Sequence, residues 1–256
     1  MSSGPEHIRV SEHDGVTTIE LDRPPLNILH LPMLEEILDA VGEVSASRPR
    51  ALVIRSSGSV FSAGLDVSEY AEARTPQMID TYHNIFRRLI TADFPIIAVI
   101  QGPCLGAGLE LASIADFALA GEDAELGLPE ITLGLFPPVA TMLLPRLIGI
   151  PAANELILTG RRVAAAEAWD MGLLYKVVDN AELDDELTTL LTALTSNSNA
   201  VMHVTKKAMY GRFRTRFMEE LAELEAMYHA DLGSLEDTKE GIAAFLGKRA
   251  PVWNHR

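Results

Sequence analysis

Two glutamates in apolar surroundings are the residues of this sequence whose type and spacing could carry acid–base chemistry. Glu110 lies in the stretch GPCLGAGLELASIAD, residues 102–116, where almost every neighbour is apolar or small. Glu130 lies in ELGLPEITLG, twenty positions further along the chain. A carboxylate is seldom buried unless it is paired, hydrogen-bonded or held for chemistry. Two carboxylates in one dry pocket push their pKa values apart, which leaves one protonated as an acid and one ionised as a base.

The separation of the two glutamates excludes a pair on one helix face. A short helix that begins near Glu110, followed by the strand DFALAG running back, would still bring the two carboxylates together in the fold. Taken alone, each glutamate is also consistent with a structural acid whose charge is satisfied by hydrogen bonds. The residues themselves therefore leave both interpretations open.

Two loops of small residues could supply backbone donors. Gly106 and Gly108 precede a predicted helix, where bare N–H groups can approach a substrate, aided by the positive end of the helix dipole. The loop FSAGLD, residues 61–66, follows a predicted strand and could direct the N–H of Leu65 to the same spot. Two such amides can hold a carbonyl oxygen that gains negative charge. The competing interpretation is that both loops are tight packing turns.

Several other kinds of site are not supported by the sequence. The glycines at 102, 106 and 108 do not form the G-x-G-x-x-G of a dinucleotide site. No G-x-S-x-G, His-Glu-x-x-His or Cys-x-x-Cys motif occurs, so hydrolase and metalloenzyme functions lose support. The seven histidines show no ligand spacing. We therefore expect neither a metal nor a bound cofactor.

Hydrophobic periodicity predicts the elements that would position these residues. GVTTIELDRP alternates like a strand, and HLPMLEEILDAVGEV has helical spacing. The same order recurs in RALVIRSS, GSVFSAGLD and PQMIDTYHNIFRRLITA, and again in FPIIAVIQG with the helix after it. DFALAG is predicted as a fourth strand. Strands that alternate with helices predict an α/β fold with parallel strands and crossover helices.

The chain after Pro145 is predicted to be largely helical. Helical patterns occur in PAANELILTG, AAAEAWDMG, ELDDELTTLLTALTS, NAVMHVTKKAMYG and RFMEELAELEAMYHADL, with YKVVD as a short strand between them. The final stretch of about 60 residues carries apolar stripes but little core of its own. We expect it to pack on the body of the protein or on another subunit.

Composition and charge limit the class of protein further. With 256 residues, 48% of them hydrophobic, the chain can bury one substantial core. A net charge of −15 argues against nucleic acid or an anionic membrane surface as a partner. The single cysteine, Cys104, permits no disulfide within the chain. No apolar stretch reaches the length of a membrane span, and we expect a cytoplasmic protein.

Five segments together resemble the enoyl-CoA hydratase/isomerase (crotonase) superfamily. They are VFSAGLDVSEY, GPCLGAGLELASIAD, AELGLPEITLGLFP, LTGRRVAAAEAWDMGLLYKVV and GIAAFLGKRAP, in the family's order over nearly the whole chain. The resemblance implies an α/β fold in which residues 1–195 form a crotonase-like spiral of ββα units with the acyl-CoA site. It implies that residues 196–256 form a C-terminal α-helical trimerisation region, and that the chain assembles as a homotrimer or a dimer of trimers.

The resemblance also implies roles for the residues that match the family's motifs. The two oxyanion-hole amides fall on Leu65 and Ala107, and the two catalytic glutamates of the hydratases fall on Glu110 and Glu130. The implied reaction adds water across the 2,3 double bond of an enoyl- or dienoyl-CoA whose thioester carbonyl the amides polarise. Glu110 would deprotonate the water and Glu130 would protonate C2, or the two would act in reverse roles, and one water can supply both atoms.

The coenzyme A part of the substrate needs contacts of its own. Coenzyme A is polyanionic, so a chain with this net charge must bind it through local positive charge. Arg23, beside PPLN, and Lys248, near the C-terminus, are expected to contact its phosphates or adenine. Ala63 and Asp66, on either side of the first amide, complete the expected acyl-CoA-binding set. Asp66 is also expected to accept backbone N–H groups of its own loop.

Other functions within and beyond this family stay open at this point. A double-bond isomerase often keeps only one of the two acids, so the presence of both favours hydration. A decarboxylase could use the same oxyanion hole, and a non-catalytic acyl-CoA-binding homologue is an alternative because fold does not fix function. GLFPPVATMLLPRLIG replaces the glycine-rich stretch of many simple hydratases. It is more similar to cyclic dienoyl-CoA hydratases of aromatic degradation.

Overall fold

A computed structural model describes residues 4–71 and 75–256 of the protein. The strands, in chain order, are β1 (Ile8–His13), β2 (Val16–Leu21), β3 (Ala51–Ser56), β4 (Ile96–Ile100), β5 (Cys104–Leu105), β6 (Phe117–Gly121), β7 (Glu125–Gly127), β8 (Arg162–Ala164) and β9 (Lys176–Val178). The helices are α1 (Leu31–Ser47), α2 (Thr75–Thr91), α3 (Ala107–Ser113), α4 (Pro138–Leu147), α5 (Gly149–Thr159), α6 (Ala165–Asp170), α7 (Leu183–Thr195), α8 (Asn199–Met227) and α9 (Glu236–Leu246). Short 3-10 segments cover Val67–Ala71, Pro129–Leu133 and Asn180–Glu182, and a π-helical turn covers Tyr228–Leu232.

One mixed sheet forms the frame of the molecule. Its strand order is β1–β2–β3–β4–β6–β9, with β1 antiparallel to β2 and every later pair parallel. Strands β5, β7 and β8 form a second, smaller sheet in which β5 runs parallel to β7. The predicted α/β architecture with parallel strands is confirmed.

Helices cover both faces of the main sheet, which follows from the alternation of side chains along a strand. Leu52 and Ile54 of β3 join the large apolar cluster that contains residues of α1 and α2. Ala51 and Val53 of the same strand face the opposite way, into a smaller cluster with α7. Strands buried on both faces read as continuous apolar runs, and all five residues of β4 are buried.

The differences from the predicted elements lie where sequence carries little periodic signal. Periodicity does not predict β1, because five of its six residues are exposed and its hydrophobic pattern is weak. It does not predict β5, β7 or β8, which are two or three residues long. No helix in the described ranges combines the length and apolar character needed to cross a bilayer.

The C-terminal region contains one long helix where the sequence suggested two helical stretches. Helix α8 continues through Gly211, although the pattern NAVMHVTKKAMYG stops there. A glycine inside a helix costs about 1 kcal/mol relative to alanine, which a long helix tolerates. Phe217 and Leu221 of α8 are fully buried in the large cluster. The helical tail therefore packs on the body of its own chain, and the division at residue 195 stays a prediction.

A buried ion pair attaches α8 to the main sheet. Lys206 Nζ lies 2.5 Å from Asp116 Oδ2 and donates to the carbonyl of Phe94 at 2.7 Å. Asp116 also accepts the N–H of Ile96 at 2.7 Å. Lys206 is only 8% exposed, and burial lowers the pKa of its ammonium group. The Asp116 carboxylate offsets the cost of holding that charge away from water.

We expect Lys206→Met to lower the free energy of unfolding by about 3 kcal/mol, because it leaves the Asp116 carboxylate without its buried partner. Lys207→Met is the matched control, since Lys207 is exposed on the same helix and its loss should change stability by less than about 0.5 kcal/mol. Urea denaturation measures both values. Equal losses in the two variants would show that the buried pair does not stabilise the fold.

Candidate active site

Two turns bring the backbone at Leu65 and Ala107 side by side. The N–H of Leu105 donates to Ser62 O at 2.9 Å, which joins the two loops. Gly64 adopts a φ of +94°, and a Cβ there would lie 3.1 Å from Leu105 O and 3.4 Å from Ala107 N. A positive φ and so close a backbone approach both favour glycine. The loop FSAGLD therefore packs backbone to backbone against the start of α3.

The N–H groups of Leu65 and Ala107 have no acceptor among the residues that the structure describes. By contrast, the N–H groups of Gly64, Asp66 and Gly106 all donate to oxygens of the protein. Ala107 is the first residue of α3, where the helix itself does not use the N–H. Both residues border one cavity of about 350 Å³. Two free donors at one cavity can bind an oxygen that carries negative charge.

Glu110 borders the same cavity, one turn further along α3. Its Oε2 accepts a hydrogen bond from the Tyr82 hydroxyl at 2.9 Å, and its Oε1 accepts from the N–H of Ala140 in α4 at 2.8 Å. The residue is 1% exposed. Burial raises the pKa of Glu110, while the hydrogen bonds from Ala140 and Tyr82 act in the opposite direction. These two donors stabilise the ionised form of a carboxyl whose pKa burial nevertheless raises above its ordinary value.

Glu130 also borders the cavity, and within the described ranges only its own backbone N–H acts as a donor to its carboxyl. The pairing of β5 with β7 places Gly106 near the 3-10 segment that carries Glu130, and a Cβ at Gly106 would lie 2.6 Å from Glu130 Oε1. Glu130 Oε2 is buried without a hydrogen-bond partner in the described part of the chain. Burial and the negative charge of Glu110 raise the pKa of Glu130 to about 8. Burial and the nearby charge of Glu110 therefore favour the protonated form of Glu130.

The cavity wall around the two carboxylates is mostly apolar. Its apolar members include Val67, Ile79, Leu105, Leu133, Leu135, Phe136, Pro137, Pro138 and Phe245. The two prolines precede and begin α4, and their fixed φ angles make this wall stiff. An apolar, stiff wall keeps water away and so strengthens the electrostatic interactions inside.

Of the four other predicted site residues, the cavity lining within the described ranges includes one. Ala63 borders the cavity. Asp66 instead accepts the N–H and hydroxyl of Ser68 at 3.0 and 2.6 Å, as a loop carboxylate does. Arg23 donates to a backbone carbonyl of its own loop at 2.9 Å, and Lys248 is exposed. Neither cation has a carboxylate partner within residues 4–71 and 75–256, and the same residues contain no cluster of metal-ligand side chains.

The two donors that hold Glu110 do not stand out in the sequence. Tyr82 lies in the apolar stripe of α2, where the sequence pattern does not distinguish it from an aromatic residue that only fills the core. The available signal is that a buried tyrosine hydroxyl needs a hydrogen-bond partner. Ala140 acts through its backbone N–H, so its side chain gives no signal at all.

We expect Glu130→Gln to stabilise the protein increasingly as the pH rises from 4.5 to about 8. Below the ordinary carboxyl pKa of 4.5, the folded and unfolded states both keep this proton. Between 4.5 and about 8 only the unfolded state releases it, so the wild type loses stability over that interval. Glutamine does not titrate. Differential scanning calorimetry should show a growing difference in Tm; a constant difference would contradict the raised pKa of Glu130.

Comparison with known proteins points to one family. The chain matches the family model described as enoyl-CoA hydratase/isomerase over residues 11–256. It is 30% identical to cyclohexa-1,5-dienecarbonyl-CoA hydratase of Thauera aromatica, over 100% of this chain and 99% of that protein. It is 35% identical to a probable enoyl-CoA hydratase of Mycobacterium leprae, over 97% of this chain and 98% of that protein. The crystal structure of an enoyl-CoA hydratase from Mycobacterium avium subsp. paratuberculosis is similar with a TM-score of 0.87 at 27% identity, covering 97% and 99% of the two chains.

Proposed function

The chain belongs to the enoyl-CoA hydratase/isomerase family, and on that basis we propose that it adds water across the 2,3 double bond of an enoyl- or dienoyl-CoA thioester. The observation that carries the proposal is the grouping of two unlike carboxylates and two unpaired N–H donors around one apolar cavity. Hydration needs a base for the water, an acid for C2 and a site for the oxygen that gains charge. Each of these has a candidate in the cavity.

The N–H groups of Leu65 and Ala107 are proposed to bind the thioester carbonyl oxygen. As water adds at C3, negative charge moves to this oxygen and the two donors stabilise it. Mutagenesis of such sites elsewhere gives about 3 kcal/mol for one well-placed donor. Because both donors belong to the backbone of packed loops, their positions are set before the substrate binds.

Glu110 is proposed as the base and Glu130 as the acid. The bonds from Tyr82 and Ala140 favour the ionised form of Glu110, whereas Glu130 keeps its proton. Glu110 takes a proton from water as the water oxygen bonds to C3, and Glu130 transfers its proton to C2. One water is added in total. Glu110 ends protonated and Glu130 ionised, so the pair exchanges a proton through solvent before the next turnover.

The substrate subtype and its coenzyme A contacts belong to the same proposal. Arg23 and Lys248 are cations without carboxylate partners in the described ranges, and we assign them to the phosphates or adenine of coenzyme A. Ala63 and Asp66 lie in the loop that also carries the Leu65 amide. The Thauera relative is named for a cyclic dienoyl thioester, and the stiff wall of α4 supports a cyclic acyl group here. Assembly as a homotrimer or a dimer of trimers stays a prediction.

The pH dependence of kcat/KM for crotonyl-CoA hydration tests the assignment of the acid. Because Glu130 must carry a proton, kcat/KM should fall as the pH rises above about 8. The decrease in absorbance of the enoyl thioester measures the rate. In Glu130→Gln the residual activity should lack this alkaline decrease, since glutamine does not titrate. An alkaline decrease at the same pH in that variant would assign it to another group.

A further inference from the structure

A buried histidine that the proposed reaction does not use borders the cavity. His83 follows Tyr82 on α2 and is 0% exposed. Its Nδ1 lies 2.9 Å from Oε1 of Glu225 in α8. Its Nε2 is buried and has no hydrogen-bond partner among the described residues. Buried polar atoms without a partner are uncommon and destabilise the fold, so this atom is a candidate for binding a ligand.

Glu225 fixes which nitrogen of the ring carries the proton. Its carboxylate also accepts from the Arg87 guanidinium. Although burial acts to raise it, the pKa of Glu225 is lowered to about 2 by the hydrogen bonds from His83 and Arg87. An ionised carboxylate only accepts, so His83 Nδ1 must be the donor. In the neutral ring Nε2 is then a lone pair, which accepts a hydrogen bond.

His83 lies near Glu110 on the wall of the cavity. Tyr82, the residue before His83, donates to Glu110, and a positive charge on His83 would lower the pKa of Glu110. In the proposed reaction the thioester oxygen lies at the two amides and the reacting carbons lie between the glutamates. The part of the acyl group beyond C3 is then the part left to reach His83, which borders the same cavity.

We propose that His83 Nε2 is a specificity-determining acceptor for a hydroxyl group carried by the acyl part of the substrate beyond C3. The inference rests on the proposed function, because it places an acyl thioester in this cavity. A hydroxyl at that point donates to Nε2 and removes the unpaired acceptor. An acyl group that lacks this hydroxyl displaces water from the site and leaves Nε2 unpaired. Sites built to bind a substrate hydroxyl discriminate strongly against analogues without it.

Thioesters that cannot be hydrated separate recognition from turnover. Isothermal titration calorimetry on the full chain would compare hexanoyl-CoA with 6-hydroxyhexanoyl-CoA, and benzoyl-CoA with its 3-hydroxy and 4-hydroxy derivatives. The linear and ring compounds place the hydroxyl at different depths in the cavity. We expect at least one hydroxylated thioester to bind the wild type about tenfold more tightly than its parent.

His83→Asn is the matched variant. The asparagine amide can donate to Glu225 from about the position of Nδ1, but no atom takes the place of Nε2. The preference for the hydroxylated thioester should vanish, because the parent compound no longer leaves an acceptor unpaired and the hydroxylated compound no longer finds one. Glu225→Gln is a second variant: a neutral amide no longer fixes the tautomer, so the preference should decrease there too.

The outcomes distinguish this inference from the proposed function. Equal Kd values for every hydroxylated thioester and its parent in the wild type would overturn the inference, and so would an undiminished preference in His83→Asn. If none of the thioesters binds the wild type, both proposals fall. If the preference is present and depends on His83 but the wild type hydrates neither crotonyl-CoA nor a cyclic dienoyl-CoA, the inference stands and the hydratase proposal falls.

Discussion

Glu110→Gln is expected to lower kcat for the hydration of crotonyl-CoA by about 10³-fold, within the usual contribution of a positioned acid or base. An amide cannot take a proton from the attacking water. Glutamine has the same size, and its carbonyl oxygen can still accept the N–H of Ala140, so the wall formed by α4 should stay in place. The wild type and the variant would be compared under substrate saturation.

Glu122→Gln is the control for this change, because Glu122 is exposed and lies outside the cavity. Its kcat should equal that of the wild type. Glu130→Gln should lose activity on the same scale as Glu110→Gln, since both proton transfers belong to one addition. A kcat for Glu110→Gln within a few-fold of the control would remove Glu110 from the reaction.

Ala107→Pro is expected to lower kcat by about 10²- to 10³-fold, because it deletes one of the two backbone donors. Proline is favoured at the first position of a helix, where the N–H takes no part in helical hydrogen bonds. The preceding residue, Gly106, has a ψ of −128°, outside the helical region that a following proline disfavours. Helix α3 should therefore form, and Glu110 should keep its place.

The loss in Ala107→Pro should appear in kcat more than in KM, since the donor acts on charge that develops in the transition state. Ala107→Gly is the matched control, because it changes the side chain and keeps the N–H. Its kcat should lie within about twofold of the wild type, as expected for a site that uses only the backbone. Similar kcat values for the proline and glycine variants would show that this amide does not bind the carbonyl oxygen.

The two glutamates could be recognised from sequence because a charge among apolar neighbours is an informative exception. The sequence does not show that both glutamates border one cavity. The pairing of β5 with β7, which brings Gly106 near the segment that carries Glu130, is only two residues long. Such short strands have no periodicity to detect. The sequence also does not show that the two carboxylates differ in their hydrogen bonds, since those of Glu110 come from Tyr82 and the backbone of Ala140.

Long, well-buried helices and strands are predicted from the sequence, whereas exposed or very short strands are not. Helices α1 and α2 each bury one regular face, and strands β3 and β4 are apolar runs buried on both faces, so the sequence pattern predicts all four. Strand β1 lies at the sheet edge with almost all of its residues exposed. His83 has no ligand spacing in the sequence, because its partner Glu225 lies on a helix far along the chain.

The mass of the product tests most directly whether this cavity is built for the addition of water. Wild type and the double variant Glu110→Gln/Glu130→Gln would be incubated with crotonyl-CoA and with a cyclic dienoyl-CoA, and the thioesters analysed by mass spectrometry. We expect the wild type to give a product heavier by one water from at least one substrate, and the double variant to give none in the same time. Equal water addition by the double variant, or a wild-type product that has lost carbon dioxide or kept its mass, would contradict this function.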